Sequence, residues 1–320
     1  MSFESGTRVL GLTAETTRGT KETIVYDKEF YDATAISPTR EINKIGNLAG
    51  RKTRYANNYV GAESGTATAL FELKGSGANA TEPKIGEILR AGGFAFTPNV
   101  DGVLSGYVLD GTLPCSSLSF ASTVYGCGST PTGITSTLVG AVPAITITGD
   151  SVGGAVKFSS ELTGGLEIGA ADEDSLFAVA GTDGTKGLKF EGGIYTIGGT
   201  QIAIKSFEVS TSPEVGGELD PTKGNGSFYK YHHIKDLRGR SLTLEYTKPL
   251  KSVKDFDAEF SAETIYNEVV LDLTSESGEN AKLIFTLPQA NDWSDQDSDS
   301  YVTQSVTFDI DNAIIVFDVV

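Results

Sequence analysis

Apolar and polar residues alternate along several stretches of the chain, as they do in β-strands that bury one face. The clearest examples are GTATALFELKG, VKFSSELTG and SLTLEYT. Their apolar positions are, in order, Ala67, Ala69, Phe71, Leu73, Val156, Phe158, Leu162, Leu242, Leu244 and Tyr246. Because turn-forming residues separate these stretches, we predict an all-β protein whose antiparallel sheets pack as a two-sheet β-sandwich or barrel.

The C-terminal part of the chain follows the same pattern. The stretch YNEVVLDLTSESGENAKLIFTLP predicts two strands joined by a polar turn at residues 275–280. The closing stretch SVTFDIDNAIIVFDVV predicts another strand pair, broken at Asp311 and Asn312.

Two short segments have a helical pattern instead. In TEPKIGEILRAGGF, Pro83 suits the first turn of a helix, three apolar residues form one face, and Gly92 and Gly93 supply a stop. A second, weaker helix is predicted within residues 253–265.

Composition supports a β-rich fold. The 320 residues include 38 Gly, and the chain is rich in Thr, Ser, Tyr and Phe, which favours strands and turns. From Ala91 to Thr185 the one basic residue is Lys157, amid many Gly, Ser and Thr. We therefore predict one domain over residues 1–320 that carries a Gly/Ser/Thr-rich elaboration, or a separate subdomain, at about residues 100–185.

The formal net charge is −17, and charge is segregated along the chain. The last thirty residues hold seven Asp and no Lys or Arg. Five basic residues stand close together early in the chain, namely Arg40, Lys44, Arg51, Lys52 and Arg54. The overall charge argues against non-specific adhesion to DNA or to an anionic membrane. The basic segment fits a modest nucleic-acid arm, a solvated loop, or a surface that binds acidic surfaces on other copies of the chain.

Two features resemble parts of enzymes. GDSVG matches the G-x-S-x-G motif of serine hydrolases, but a strand-like segment rather than a helix follows Ser151, so a hairpin turn is the simpler interpretation. The only histidines, His232 and His233, are adjacent and would point to opposite faces of a strand. We interpret them as ordinary surface or interface residues, and we predict no catalytic residue.

The acidic tract DWSDQDSDS resembles part of a calcium-binding loop. Asp295, Asp297 and Asp299 alternate as in the first half of a calcium loop, but Ser300 and Val306 stand where an EF-hand has Gly and Glu. These three residues are therefore only a weak, incidental cation candidate, and a solvated acidic loop is the simpler interpretation. No metal and no cofactor are predicted.

Cysteine usage and hydropathy bear on where the protein resides. Cys115 and Cys127 lack metal-type spacing and fit either reduced thiols or a hairpin disulfide. The N-terminus has no apolar run of signal-peptide length, and no stretch approaches 18 apolar residues. We expect synthesis in the cytoplasm and no membrane association.

Several stretches together suggest a family. They are VLGLTAETTRGT, ISPTREINKIGNLAGRK, GTATALFELKG, PKIGEILRAGGF, IKDLRGRSLTLEYT and the closing strand segments. Their order and spacing resemble the major tail tube proteins of long, non-contractile-tailed bacteriophages. The resemblance covers most of the chain discontinuously, and residues 100–200 match least.

The resemblance implies a structural virion protein of the phage tail that is not an enzyme. Copies would close into hexameric rings with a continuous inner β-barrel, and stacked rings would form the tube through which viral DNA passes without specific binding. Inner-barrel strands would come from residues 66–74 and 241–247. A loop at about residues 37–65 would reach the adjacent ring, so that the five basic residues bind acidic surfaces of neighbouring subunits.

Further partners and alternatives follow from the same resemblance. Tape measure, terminator and distal tail proteins would bind the tube. One alternative is another tail component, such as a tail terminator or a baseplate-proximal tube protein. The other is a β-sandwich adhesin or glycan-binding module, which would be a monomer with an exposed aromatic platform.

Overall fold

The computed structural model describes residues 3–26, 30, 32–45, 57–75, 82–97, 105–109, 113–114, 116–126, 133–151, 153–170, 187–190, 195–197, 199–219, 229–237, 239–249, 255–274, 279–298, 301–310 and 312–319. Twenty strands and two short helices lie within these ranges. In chain order they are β1 (Phe3–Ala14), β2 (Asp32–Ala33), β3 (Ser37–Ile45), β4 (Asn57–Glu72), α1 (Gly86–Ala91), β5 (Ala95–Thr97), β6 (Ser105–Leu109), β7 (Leu118–Gly126), β8 (Gly133–Gly149), β9 (Lys157–Ala170), β10 (Tyr195–Ile197), β11 (Thr200–Gln201), β12 (Ile204–Thr211), β13 (Glu214–Leu219), β14 (Tyr229–Asp236), β15 (Arg240–Thr247), α2 (Phe256–Ser261), β16 (Glu268–Thr274), β17 (Glu279–Thr286), β18 (Gln289–Ser298), β19 (Tyr301–Asp309) and β20 (Asn312–Val319).

The strands form three antiparallel sheets. An eleven-stranded sheet, called the large sheet here, follows the order β18, β19, β15, β12, β8, β9, β4, and β4 then pairs with both β2 and β3. It forks at β8, whose first half pairs with β7 and whose second half pairs with β12. β1 completes the fork by pairing with β7. The seven-stranded sheet follows the order β11, β10, β16, β17, β20, β6, β5, and β13 pairs with β14.

Residues of the large sheet and the seven-stranded sheet pack into one hydrophobic core. Phe158 and Leu244 contribute from the large sheet, and Leu271 and Phe285 contribute from the other. All ten apolar positions predicted from alternation are buried. The prediction of an all-β, antiparallel sandwich is confirmed, and the described strands of one chain do not close into a barrel.

Both predicted helices are confirmed, and local sequence explains where each begins or ends. α1 ends at Gly92 and Gly93, and Gly93 has a φ of 97°, a conformation that favours glycine. The side chain of Asp255 caps α2 by accepting a hydrogen bond from the backbone N–H of Ala258 at 3.2 Å.

The C-terminal strands differ partly from expectation. β16 and β17 form the predicted hairpin. β19 and β20 are separated at the predicted break, but they belong to different sheets and do not pair with each other. The chain therefore crosses from one layer of the sandwich to the other between Asp309 and Asn312.

Strands from the middle of the chain pair directly with strands outside it. β9 pairs with β4, β8 pairs with β12, and β6 pairs with β20. The Gly/Ser/Thr-rich middle thus supplies strands to both larger sheets. How the chain divides into domains stays a prediction.

Candidate assembly and channel surfaces

A two-stranded segment leaves the large sheet at Ser64. From Ser64 to Glu72, β4 pairs with β9, but its residues 57–63 pair only with β3 among the described strands. β9 itself continues to Ala170 and pairs there with β8, so the two pairs of strands diverge. We call residues 40–45 of β3 and 57–63 of β4 the arm.

The arm carries part of the predicted basic surface. Arg40 lies opposite Glu63, and Lys44 lies opposite Asn58, in the β3–β4 register. The expected loop at residues 37–65 is therefore built largely of paired strands. The other three predicted interface residues, Arg51, Lys52 and Arg54, lie outside the described residues.

One face of the large sheet is apolar and packs in the core, whereas the other is lined by hydroxyl and carboxylate groups. Cross-strand pairing places residues of six strands on this second face. We call it the hydroxyl face, and its residues are Thr66, Thr68, Leu70, Glu72, Lys157, Ser159, Glu161, Thr163, Ala144, Thr146, Thr148, Ser206, Glu208, Ser210, Ser241, Thr243, Glu245, Ser305 and Thr307. Every one of these side chains is half-buried or exposed.

The hydroxyl face carries charges of both signs, with acidic groups in excess. The residues named include four Glu and Lys157, which binds Asp150 at 2.6 Å. Lys205 also reaches this face by donating to Thr303 at 2.7 Å, and Asp309 lies opposite Ser241. Hydroxyl groups bond across strands, as between Thr243 and Thr307 at 3.1 Å. The two segments predicted to line a channel, residues 66–74 and 241–247, lie largely in β4 and β15, both of which contribute to this face.

The far edge of the large sheet is formed by β18, an acidic strand. Residues 291–295 are exposed, including Asp292 and Asp295, and Trp293 is 36% exposed. Among the described strands, β18 pairs only with β19, apart from an isolated bridge between Gln289 and Ile265 at its start. The acidic end and the arm therefore occupy opposite edges of the same sheet.

A polar network fixes β18 to the body of the protein. The Lys248 Nζ lies 2.7 Å from Asp257 Oδ2 and 2.6 Å from Asp295 Oδ2. Gln304, which is fully buried, donates from Nε2 to both carboxylates. Burial would lower the pKa of Lys248, but hydrogen bonds and charges from the two carboxylates outweigh burial and raise its pKa. The network joins α2, β18 and β19.

Aromatic packing supports the same end of the sheet. Phe256 and Phe260 of α2 stack with ring centroids 5.6 Å apart, and Phe260 also contacts Trp293 and Phe308. These contacts pack α2 against β18 and β19, and this packing stabilises the acidic edge of the sheet.

A buried carboxylate, Glu15, stabilises the fork of the large sheet. The sequence patterns did not identify this residue. Its Oε1 accepts from Ser119 Oγ at 2.8 Å and from the backbone N–H of Gly140 at 2.7 Å. Its Oε2 accepts from Ser117 Oγ at 2.6 Å and from the N–H of Gly19 at 2.7 Å. Gly140 has a φ of 61° at an irregularity in β8, which suits glycine. Glu15 thus joins the end of β1 to β7 and β8.

The enzyme-like motif GDSVG lies in a hairpin. β8 ends at Gly149 and β9 begins at Lys157, and the two strands pair with each other. The backbone N–H of Gly154 donates to the carbonyl of Ser151 at 3.0 Å within this turn. A strand follows Ser151, so the helix that a nucleophile elbow requires is absent at this described position.

The two histidines lie on β14 and differ in burial. His232 is 6% exposed and therefore buried rather than at the surface, whereas His233 is half-buried. Burial, with a smaller contribution from His233, lowers the pKa of His232 to about 4. A surface interpretation of His232 is therefore wrong, because β14 packs against β8 and β9.

The remaining candidate residues are only partly described. Asp295 and Asp297 lie on β18, and Asp299 lies outside the described residues, as do Cys115 and Cys127. Within the described ranges, no group of three or more His, Cys, Asp or Glu is arranged to hold a metal ion.

Comparisons with known protein families and curated proteins found no match for this chain. In the part of the chain that the structure describes, neither helix has the length and apolar character needed to cross a membrane.

Proposed function

We propose that this protein is a structural subunit of a bacteriophage tail tube, which self-assembles into stacked, hexameric rings around a channel for DNA. It would reside in the tail of the virion, bind tape measure, terminator and distal tail proteins, and carry out no catalysis. The observation that carries the proposal is the hydroxyl face, a broad polar sheet face on the side opposite the core.

The chemistry of the hydroxyl face suits a wall along which DNA slides. A wall of Lys and Arg would bind phosphates by releasing counterions, and this binding would hold the DNA at every step. Here Glu161, Glu208 and Glu245 repel phosphate, while short hydroxyl side chains keep the surface smooth and hydrated. The net charge of −17 extends the repulsion over the whole subunit.

The arm supplies a means of contact between subunits. A two-stranded ribbon that leaves its own sheet at Ser64 has backbone groups and basic residues that can reach another molecule. In an acidic homopolymer, the complementary partner for basic residues is an acidic surface on a neighbouring copy. Arg40, Lys44, Arg51, Lys52 and Arg54 would make these contacts.

Negative-stain electron microscopy of the purified protein over a wide range of concentrations tests the proposal. Rings or hollow tubes are expected at high concentration. A monodisperse monomer under every condition would contradict the proposal and would favour a binding module.

The role of the hydroxyl face has a separate test. Glu161→Lys with Glu208→Lys changes two exposed residues of this face and should leave tubes intact, because neither residue lies at a sheet edge. Tubes of this variant should retain DNA in a salt-dependent manner, whereas wild-type tubes should not. Equal DNA retention by both proteins would contradict a channel role for this face.

A further inference from the structure

We propose that the two-stranded sheet of β13 and β14, called the flap here, opens away from the large sheet as pH falls. It would turn about a hinge at Ser212 and Gly239, and His232 would be the group that senses pH. Opening would expose the surface of β8 and β9 that the flap covers, whether or not the subunits form tubes.

The flap continues a hairpin of the large sheet beyond that sheet. β12 pairs with β15 as far as Thr211 and Arg240, and β13 pairs with β14 from Glu214 and Asp236 onwards. Among the described strands, β13 and β14 pair only with each other, whereas β12 and β15 each have a further partner in the large sheet. The flap can therefore move without separating any two strands of the large sheet.

The junction between the flap and the large sheet has the features of a hinge. Ser212 and Pro213 on one strand oppose residues 237–239 on the other, and such an unequal count bends a strand pair. A Cβ at position 239 would lie 2.4 Å from the carbonyl oxygen of Ser212, so the close approach of the two strands requires glycine there. Changes in backbone angle at these few residues would move the whole flap.

The packed face of the flap includes a histidine. β14 packs against β8, β9 and β4. His232 and Ile234 are 6% and 3% exposed, and they alternate with the half-buried His233 and the exposed Lys235. Because a two-stranded hairpin is at best marginally stable by itself, the contacts of this buried face determine whether the flap stays closed.

Protonation of His232 opposes the closed position. Burial, with a smaller contribution from His233, lowers the pKa of His232 to about 4, whereas an exposed histidine has a pKa of about 6.5. Between these values the open flap binds a proton that the closed flap does not, so a fall in pH favours opening. β8 has no titratable side chain. The titratable residues on the other strands in contact with β14 are Lys157, Glu161 and Glu167 of β9, Tyr59, Glu63 and Glu72 of β4, and Glu214 and Glu218 of β13.

Native-state hydrogen exchange of the whole chain at low concentrations of guanidinium chloride tests the opening. Amides of β13 and β14 should exchange through a local opening, so their protection factors should depend less steeply on denaturant than those of β15 and β19. Between pH 7 and pH 5, the protection factors of the flap should fall about 20-fold after correction for the intrinsic pH dependence of exchange, because the open flap binds a proton.

Two variants assign the pH effect to one histidine. His232→Gln should abolish most of the fall in protection, because a glutamine side chain does not titrate. His233→Gln is the matched control and should retain most of the fall, because the buried His232 remains.

The wild-type measurement alone can contradict the proposal. Equal denaturant dependence for β14 and β15 would show that the flap opens only when the whole chain unfolds, and protection that does not change between pH 7 and pH 5 would also overturn the proposal. An undiminished fall in His232→Gln would show that His232 is not the sensor. None of these outcomes depends on tube formation, which microscopy tests separately.

Discussion

The body of the molecule, meaning its described residues outside the arm, differs from the arm in shape. In the body, Glu15 and Lys248 each join several segments through hydrogen bonds and charges. The arm is a ribbon of two paired strands that diverges from the large sheet. Changes in the body should therefore alter the free energy of unfolding, whereas changes in the arm should alter assembly.

The largest effect is expected at Glu15. Glu15→Ala removes the acceptor for two serine hydroxyls and two backbone N–H groups, most of them buried. Because each buried donor left without an acceptor costs about 1–3 kcal/mol, we expect the free energy of unfolding to fall by about 3–5 kcal/mol. Chemical denaturation measures this change.

A matched control distinguishes the effect of removing a buried carboxylate from the effect of removing any negative charge. Glu208→Ala removes an exposed carboxylate from the centre of the same sheet and should change stability by less than about 0.5 kcal/mol. If both variants lose the same stability, Glu15 does not fasten the fork of the sheet.

A smaller effect is expected at Lys248. Lys248→Met leaves Asp257 and Asp295 close together without their cation, and we expect a loss of about 1–3 kcal/mol because both carboxylates are partly exposed. Hydrogen exchange of β18 amides should speed up, while exchange of β8 amides should not. Adding Asp257→Asn and Asp295→Asn should restore most of the stability, and failure to do so would show that repulsion is not the cause.

His232 should make the free energy of unfolding depend on pH. The unfolded chain protonates this histidine below about pH 6.5, whereas the folded chain does so only near pH 4, so the unfolded state binds more protons between these values. Stability should therefore fall as pH falls through this window. Between pH 7 and pH 5, wild type should lose about 1–2 kcal/mol more than His232→Gln in denaturation experiments.

The adjacent residue provides the control for this pH effect. His233→Gln should retain the fall in stability, because the buried His232 remains. Parallel pH profiles for wild type and His232→Gln would contradict the assigned cause.

The smallest effect on stability is expected at Arg51 and Lys52, which lie outside the described residues. Because the sequence predicts both in the basic loop at about residues 37–65, and charges in exposed loops contribute little to folding, Arg51→Glu with Lys52→Glu should change the free energy of unfolding by less than about 0.5 kcal/mol. The same change should prevent or weaken tube assembly, most clearly at low salt, as measured by sedimentation and microscopy. Unchanged assembly at both low and high salt would show that these residues do not bind neighbouring subunits.

Sequence patterns predicted where the strands lie better than they predicted which strands pair with each other. Alternation identified β4, β9 and β15 and their buried faces, because burial of one face leaves a period of two in the sequence. The same pattern does not specify which strands pair. It gave no indication that β19 and β20 enter different sheets or that β8 is shared by two branches.

Sequence patterns revealed less about surfaces than about strands. From the family resemblance, residues 66–74 and 241–247 were expected to supply channel strands; the structure shows that both lie largely in the large sheet, and their role in a channel stays a prediction. Glu15 was not identified, because an acid among Thr and Gly residues has the pattern of an exposed turn. Its partners Ser117, Ser119 and Gly140 are 102, 104 and 125 positions away in the chain, so no local pattern could reveal them.

The position of β20 has a consequence for synthesis. β20 lies between β17 and β6, so among the described strands β5 and β6 join the seven-stranded sheet through it alone. The ribosome completes β6 roughly 200 residues before β20, which at about 5–20 residues per second is a delay of about 10–40 seconds. During that interval β5 and β6 lack the strand that joins them to the seven-stranded sheet. The second layer of the sandwich can therefore close only after β20 has been made.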